Sequence, residues 1–134
     1  MLLGKKIIEC VPNFSEGRDM NIINQITAEI KNTDGVKLLD VDPGATTNRT
    51  VVTFAGEPDA VVEAAFKAVK KATELIDMSK HKGAHPRFGA TDVCPLVPVA
   101  NITMQEVIEY ANKLGKRIGD ELGIPVYLYE FAAK

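Results

Sequence analysis

VKLLDVD at residues 36–42 and RTVVTFA at residues 49–55 are the two β-rich runs that decide the fold of this chain. The first run is followed by Pro43 and Gly44 and the second by Gly56, residue types that end strands. Residues 43–48 form a loop that is longer and more polar than a tight hairpin requires. We therefore predict two neighbouring antiparallel strands joined by a polar loop.

Apolar residues at helical spacing predict three helices around these strands. The first lies before the first run and ends at Gly35, and the second opens at Pro58, where a proline fits the first turn. The third begins with the capping-box pair Thr103 and Glu106. The positions expected to face the core are Ile22, Ile23, Ile26, Ile30, Val61, Val62, Ala65, Phe66, Val69, Ala72, Ile76, Val107, Ile108, Ala111, Leu114, Ile118 and Leu122.

Three further apolar runs, at residues 7–11, 93–99 and 126–129, predict additional strands. The run 93–99 contains Pro95 and Pro98, which cannot donate to a ladder and so indicate an edge or bulged strand. The element order is then β-α-β-β-α-β-α-β. We expect an α+β fold for residues 1–134: a layered sandwich with a mixed sheet, ferredoxin-like over its first six elements, with an extra αβ unit.

The histidines His81 and His85 lie four residues apart in a stretch, 79–92, that has no periodicity and is predicted to be a long loop. Histidine titrates near neutrality, which suits it to proton transfer. A metal pair is disfavoured because Gly83 and Pro86 oppose a helix and no third ligand is evident. Hydrogen bonding to loop carbonyls and acid/base catalysis both remain open on loop chemistry alone.

Polar residues follow two of the predicted strands. Asp40 and Asp42 alternate onto one face, where they can orient a histidine or simply cap a turn. Arg49 can bind a substrate carboxylate with its two-pronged guanidinium, although a surface arginine is the commoner case. The polar loop 13–17 is a third candidate for the same cleft.

Charge and composition narrow the classes of partner. The net charge of -2 argues against a nucleic-acid partner, because such proteins rely on clustered Lys and Arg. No run approaches the roughly 18 apolar residues of a membrane span, and the N-terminus lacks a signal-peptide core. Cys10 and Cys94 form no CxxC pair and are expected to be small buried hydrophobes. We expect a cytoplasmic protein with no membrane partner.

The run ECVPNFSEG at residues 9–17 resembles the opening motif of the glutamate formiminotransferases, in the N-terminal subdomain also found in formiminotransferase-cyclodeaminase. Further segments are similar to the same family and occur in the same order along nearly the whole chain. They are LLDVD (38–42), TNRTV (47–51), LIDMSKHKG (75–83), HPR (85–87) with Gly89 and Ala90, DVCP (92–95) and PVYLY (125–129).

This resemblance implies transfer of a formimino group from N-formiminoglutamate to N5 of tetrahydrofolate in histidine degradation. Tetrahydrofolate is then a cosubstrate, and no metal is required. His85 matches the catalytic histidine of the family and Asp42 an aspartate that assists it. The residues to which we assign substrate binding are Asn13, Ser15, Arg49, His81 and Arg87.

Two departures from the family qualify this expectation. Ala84 stands where the family usually has an acid, which removes a charge beside His85. Formiminotransferases resemble a pair of similar subdomains with folate between them, and the sequence ending at Lys134 matches the first. We therefore expect activity to require a complementing C-terminal subdomain or a homo-oligomer. The alternative is a catalytically silent module that binds folate or a homologous partner.

Overall fold

The computed structural model describes residues 5–14, 19–44, 46, 49–75, 91–93 and 95–122. Six strands and three helices alternate within these ranges. In chain order they are β1 (Ile7–Cys10), β2 (Asn13–Phe14), α1 (Met20–Lys31), β3 (Val36–Gly44), β4 (Arg49–Gly56), α2 (Pro58–Leu75), β5 (Thr91–Val93), β6 (Leu96–Ala100) and α3 (Met104–Leu122). All three predicted helices are confirmed.

β1 and β2 act as one strand that a proline interrupts. Both pair with β4, and β2 continues the register that β1 begins. Between them, the Val52 amide donates to the Pro12 carbonyl at 3.0 Å. Pro12 has no N–H to return, so the ladder breaks there while the strand path continues. β5 and β6 likewise act as one strand, because β5 pairs with β2 and β6 pairs with β1. Between them, the Val11 amide donates to the Pro95 carbonyl at 3.2 Å.

When β1 with β2, and β6 with β5, are each counted as one strand, the described sheet has the order β6–β1–β4–β3. In the βαββαβ motif these four strands come in the chain order β1, β3, β4, β6. β6 lies beside β1, and β4 separates β1 from β3, which is the expected ferredoxin-like arrangement. Every pairing among the described strands is antiparallel. The predicted strand at residues 126–129, on which a mixed sheet would depend, lies outside the described residues.

The three helices cover one face of the sheet and form the core with it. α2 lies between α1 and α3 and contacts both, so Ala64 and Ala68 are buried in addition to the predicted stripe. The strand residues that are fully buried beneath the helices are Ile8, Cys10, Phe14, Thr50, Val52, Phe54 and Leu96. Cys10 is therefore a small buried residue, as predicted, while Cys94 and Ile76 lie outside the described residues.

The starts of α1 and α3 can be traced to specific hydrogen bonds, and the cap of α3 was predicted from the Thr103–Glu106 pair. The Asp19 carboxylate accepts from the amides of Asn21 at 3.0 Å and Ile22 at 3.4 Å. The Thr103 hydroxyl accepts from the Glu106 amide, and the Glu106 carboxylate accepts from the Thr103 amide, both at 3.1 Å. Each bond satisfies an amide that the helix itself leaves unpaired. Among the described helices, none is long and apolar enough to cross a membrane.

Three segments predicted as loops are strands in the structure. Residues 13–14 form β2, residues 43–44 extend β3, and Thr91 and Asp92 belong to β5. In each case an antiparallel neighbour continues the ladder past residues whose local chemistry favours a turn. β5 and β6 lie at an edge of the described sheet, with register shifts opposite β2 and β1, which confirms the prediction made from Pro95 and Pro98.

Candidate active site

The register of the sheet places three predicted site residues on the face that the described helices leave open. In β4, Val52 is buried beneath the helices, so its neighbour Val51 points to the opposite side. Asn13 of β2 pairs with Val51 from one side, and Asp42 of β3 pairs with it from the other. Paired residues project to the same face, so Asn13 and Asp42 flank Val51 with Cα atoms about 10 Å apart.

Arg49 lies on the same face, two residues from Val51 along β4, a displacement of about 7 Å. The residue across from it in β3 is Gly44, which adds no side chain. The guanidinium is exposed. Asn13, Asp42 and Arg49 therefore converge on one patch of open sheet.

A bulge in β3 is what turns the aspartates toward this face. Leu38 pairs with Phe54 and packs against the core, and strict alternation from Leu38 would send Asp40 inward as well. The register instead shifts between Leu38 and Asp40, leaving Leu39 half-exposed as the extra residue. Asp40 then pairs with Thr53, so that Asp40 and Asp42 share the open face, as predicted.

Four of the predicted site residues, namely Ser15, His81, His85 and Arg87, lie outside the described residues, and so does Ala84. Their proximity to Asp42 stays a prediction. Connectivity fixes only that the segment containing both histidines rejoins the sheet at Thr91, which pairs with Phe14 next to Asn13. Within the described ranges, no three His, Cys, Asp or Glu side chains are placed to hold a metal ion.

Glu9 is a residue of the open face that our sequence analysis did not select. It pairs with Ala55 of β4 and with Val97 of β6, and it lies between the buried Ile8 and Cys10. Alternation around those two residues was the signal that could have identified it. Within the described part of the chain, the side chains of Glu9, Asp40 and Asp42 take part in no hydrogen bond or ion pair.

The clear electrostatic pairs lie away from this face. On the helix layer, hydrogen bonding to Arg117 lowers the pKa of Glu63. Hydrogen bonding to Lys6 lowers the pKa of Glu106 beside the start of α3. A groove of about 380 Å³ on the helix layer is lined by Phe66 and charged side chains that include Arg117. These pairs connect elements of the fold and lie on the opposite side from Asn13 and Asp42.

Comparison with known proteins gives consistent matches over almost the entire chain. Residues 7–134 match the family model described as the formiminotransferase domain, N-terminal subdomain. The chain is 58% identical over 128 residues to a formimidoyltransferase-cyclodeaminase from Dictyostelium discoideum, covering 96% of this chain and 24% of that protein. It is 52% identical over 128 residues to the glutamate formimidoyltransferases of Streptococcus pyogenes serotype M1 and Thermoplasma acidophilum, again covering 96% of this chain, but 43% and 42% of those proteins. The chain thus spans less than half the length of these relatives.

Proposed function

Because this chain belongs to the formiminotransferase domain family, as an N-terminal subdomain, we propose that it forms one wall of a site for formimino transfer. The donor is N-formiminoglutamate and the acceptor is tetrahydrofolate. The relatives that support this proposal are named formimidoyltransferase-cyclodeaminase and glutamate formimidoyltransferase. In this proposal, residues 1–134 constitute the subdomain, and the cytoplasmic location expected from the sequence stays a prediction.

The observation that carries the proposal is the convergence of Asn13, Asp42 and Arg49 on the open sheet face. A guanidinium binds a carboxylate through two parallel hydrogen bonds, so Arg49 can hold a carboxylate of N-formiminoglutamate. Asp42 pairs with Val51, two residues along β4 from Arg49, and we assign it a position near the formimino end of the same molecule. Asn13, across Val51, can supply an amide donor or acceptor to the substrate.

The chemistry requires proton transfer at two nitrogens. N5 of tetrahydrofolate forms a bond to the formimino carbon and loses its proton, and the bond from that carbon to the glutamate nitrogen breaks as this nitrogen gains a proton. An imidazole with a near-neutral pKa can accept the first proton and donate the second, and we assign this role to His85. Asp42 is assigned the role of orienting the ring. No metal is part of this scheme, and the rest of the rate enhancement comes from holding the two reactants in contact.

A second subdomain completes the cleft in this proposal. In the part of the chain that the structure describes, the open face presents one wall, and the chain spans less than half the length of its relatives. We propose that a complementing C-terminal subdomain, or a second copy in a homo-oligomer, covers the face and holds tetrahydrofolate against it.

His85→Ala tests the proposed role of the imidazole. With the chain paired with its complementing subdomain, we expect kcat for formation of 5-formiminotetrahydrofolate to fall about 10²- to 10⁴-fold, because general acid/base catalysis contributes this much. Asp42→Asn should give a smaller loss, and Asp40→Asn, on the same face, should retain the parental rate. Turnover is followed by absorbance. Full activity in His85→Ala would remove the residue from the mechanism.

The second candidate is a catalytically silent module that binds folate or a homologous partner, which Ala84 favours because an acid is usual beside the catalytic histidine. Calorimetry separates the two functions. The silent module should bind tetrahydrofolate while no pairing with a second subdomain yields turnover. If the chain is instead part of an active enzyme, it should show both tetrahydrofolate binding and turnover when it is paired with a second subdomain.

A further inference from the structure

The Glu9 carboxylate is a feature of the open face that the mechanism above leaves unused. β1 is an inner strand of the described sheet, and the residues directly across from Glu9 on either side are Ala55 and Val97. Glu9 is half-buried, and its side chain is bonded to nothing within the described residues. A carboxylate between apolar neighbours binds hydrogen-bond donors more strongly than one in open water. This position therefore suits a ligand that brings donors with it.

The distance from Glu9 to the proposed reaction centre is fixed by the strand. β2 continues the register of β1, so Glu9 and Asn13 lie on one face of one strand path, four residues and about 13 Å apart at Cα. Asn13 belongs to the row that contains Asp42. A ligand that reaches from Glu9 to the row of Asn13 and Asp42 must be flat enough to lie on the sheet. It must also be long enough to span the distance that the side chains of Glu9 and Asn13 leave between them.

The pteridine of tetrahydrofolate has these properties. Its N5, the reacting atom, is on one ring, while the 2-amino group and N3–H project as two neighbouring donors from the far end of the other ring. Two parallel donors match the two oxygens of a carboxylate, in the geometry that arginine uses. From the position of Glu9 we infer that its carboxylate binds the 2-amino and N3–H groups of the pteridine, with Val97 and Ala55 beneath the ring. This inference rests on the proposed function.

Asp40 is the competing carboxylate, and the structure favours Glu9 over it. Asp40 is exposed on β3, which pairs only with β4 among the described strands. Water competes fully for hydrogen bonds to such a group, whereas Glu9 is half-buried on an inner strand. Asp40→Asn is consequently the matched control for Glu9→Gln, since each substitution removes one negative charge from the same face.

The first test measures the dissociation constant of tetrahydrofolate by calorimetry, using the chain paired with its complementing subdomain. We expect Glu9→Gln to raise this constant about 10- to 100-fold, the range for losing a charged hydrogen-bond acceptor. Asp40→Asn should leave it unchanged, and the KM for N-formiminoglutamate should be unaffected by Glu9→Gln. A rise in that KM with unaltered tetrahydrofolate affinity would overturn the assignment, because Glu9 would then bind the formimino substrate.

A ligand change turns this into a thermodynamic cycle. A tetrahydrofolate analogue with a methyl group in place of the 2-amino group keeps only N3–H as a donor to Glu9. It should bind the parent protein about tenfold more weakly, and it should lose less affinity on Glu9→Gln than tetrahydrofolate does. Should Glu9→Gln fail to fold, Glu9→Asp carries the same cycle, because it retracts the carboxylate by one methylene. Additive losses would disprove the contact while leaving formimino transfer intact. Absence of both tetrahydrofolate binding and turnover in the parent would instead reject the proposed function.

Discussion

At the scale of single residues, Gly56 shows how a missing side chain fixes the junction between the β3–β4 pair and α2. A Cβ built at Gly56 would lie 2.1 Å from the carbonyl oxygen of Gly35. Gly35 itself has φ of +88°, in the left-handed region that glycine occupies without strain. The two backbones can approach this closely only because Gly56 has no side chain, and a Cβ at Gly35 would instead lie 2.9 Å from the Cβ of Ala60.

We predict that Gly56→Ala lowers the free energy of unfolding by about 1–3 kcal/mol, because the added methyl group forces the backbone at Gly35 to move. The control is Gly119→Ala in α3, where a Cβ has no neighbour within 4 Å. Alanine favours a helix over glycine, so this variant should gain about 0.5–1 kcal/mol. Urea denaturation of the three proteins measures both effects, and equal stability of Gly56→Ala and its parent would contradict the proposed clash.

The residues of the proposed site could be selected from the sequence to different degrees. Asp42 and Arg49 could be selected from their chemistry and from the family motifs, and the structure places both on the open face with Asn13. Glu9, to which we give a role only by inference, was not selected because a single acid in an apolar run carries little signal until its neighbours across the sheet are known. Side chains become a site through register, which no local pattern specifies.

At the scale of elements, Arg117 connects α2 and α3. Its Nη1 donates to Glu63 at 2.6 Å and its Nε donates to Glu121 at 3.3 Å. The guanidinium also lies over the ring of Phe66, 3.9 Å from the centroid. Hydrogen bonding to Arg117 holds the pKa of Glu63 below its usual value, and the same bond raises the pKa of Arg117.

This pair predicts a pH dependence of stability. Because the pKa of Glu63 is lowered in the folded state, its contribution is complete above the ordinary value of 4.5 and is lost as pH falls through the lowered pKa. Both side chains are about a third or more exposed, so the contribution is at most about 1 kcal/mol. The free energy of unfolding of Glu63→Gln should therefore lie below that of the parent at pH 6, and the difference should shrink below pH 4. Parallel pH profiles would refute this assignment.

The elements themselves show what sequence patterns can and cannot determine. Helices were predicted well, because their apolar spacing and caps are local: the Thr103–Glu106 pair forms the expected reciprocal bonds. The ends of the strands were predicted less well, because β2, β5 and the end of β3 depend on pairing with residues far along the chain. The bulge at Leu39 was missed for the same reason, although Leu38 and Val41 both packing inward breaks strict alternation.

At the scale of the whole molecule, the two faces of the sheet differ in burial and in side chains, and we propose a different task for each. The described helices bury one face and supply the core, while the other face carries Glu9, Asn13, Asp42 and Arg49. A β-strand alternates between these faces with every residue, so neighbouring positions of β4 can be changed to affect one task and spare the other.

Val51 and Val52 test this separation with the same substitution at adjacent positions. Val52 is 1% exposed beneath the helices, so Val52→Ala should lower the free energy of unfolding by about 2–3 kcal/mol, from lost burial and the cavity left behind. Val51 is only half-buried and lies between Asn13 and Asp42, so Val51→Ala should cost less than about 1 kcal/mol. Val51→Ala should nevertheless raise the KM for tetrahydrofolate, because the shorter side chain removes apolar contact between the sheet and the ligand.

Urea denaturation and steady-state kinetics on the same two proteins, paired with the complementing subdomain, measure both quantities. Under conditions where each remains folded, Val52→Ala should keep the parental KM, since its side chain does not reach the open face. If Val51→Ala instead proved the less stable protein and Val52→Ala the one with impaired tetrahydrofolate binding, the functional surface would have to lie on the helix side. The register that joins Asn13, Val51 and Asp42 would then have no part in catalysis.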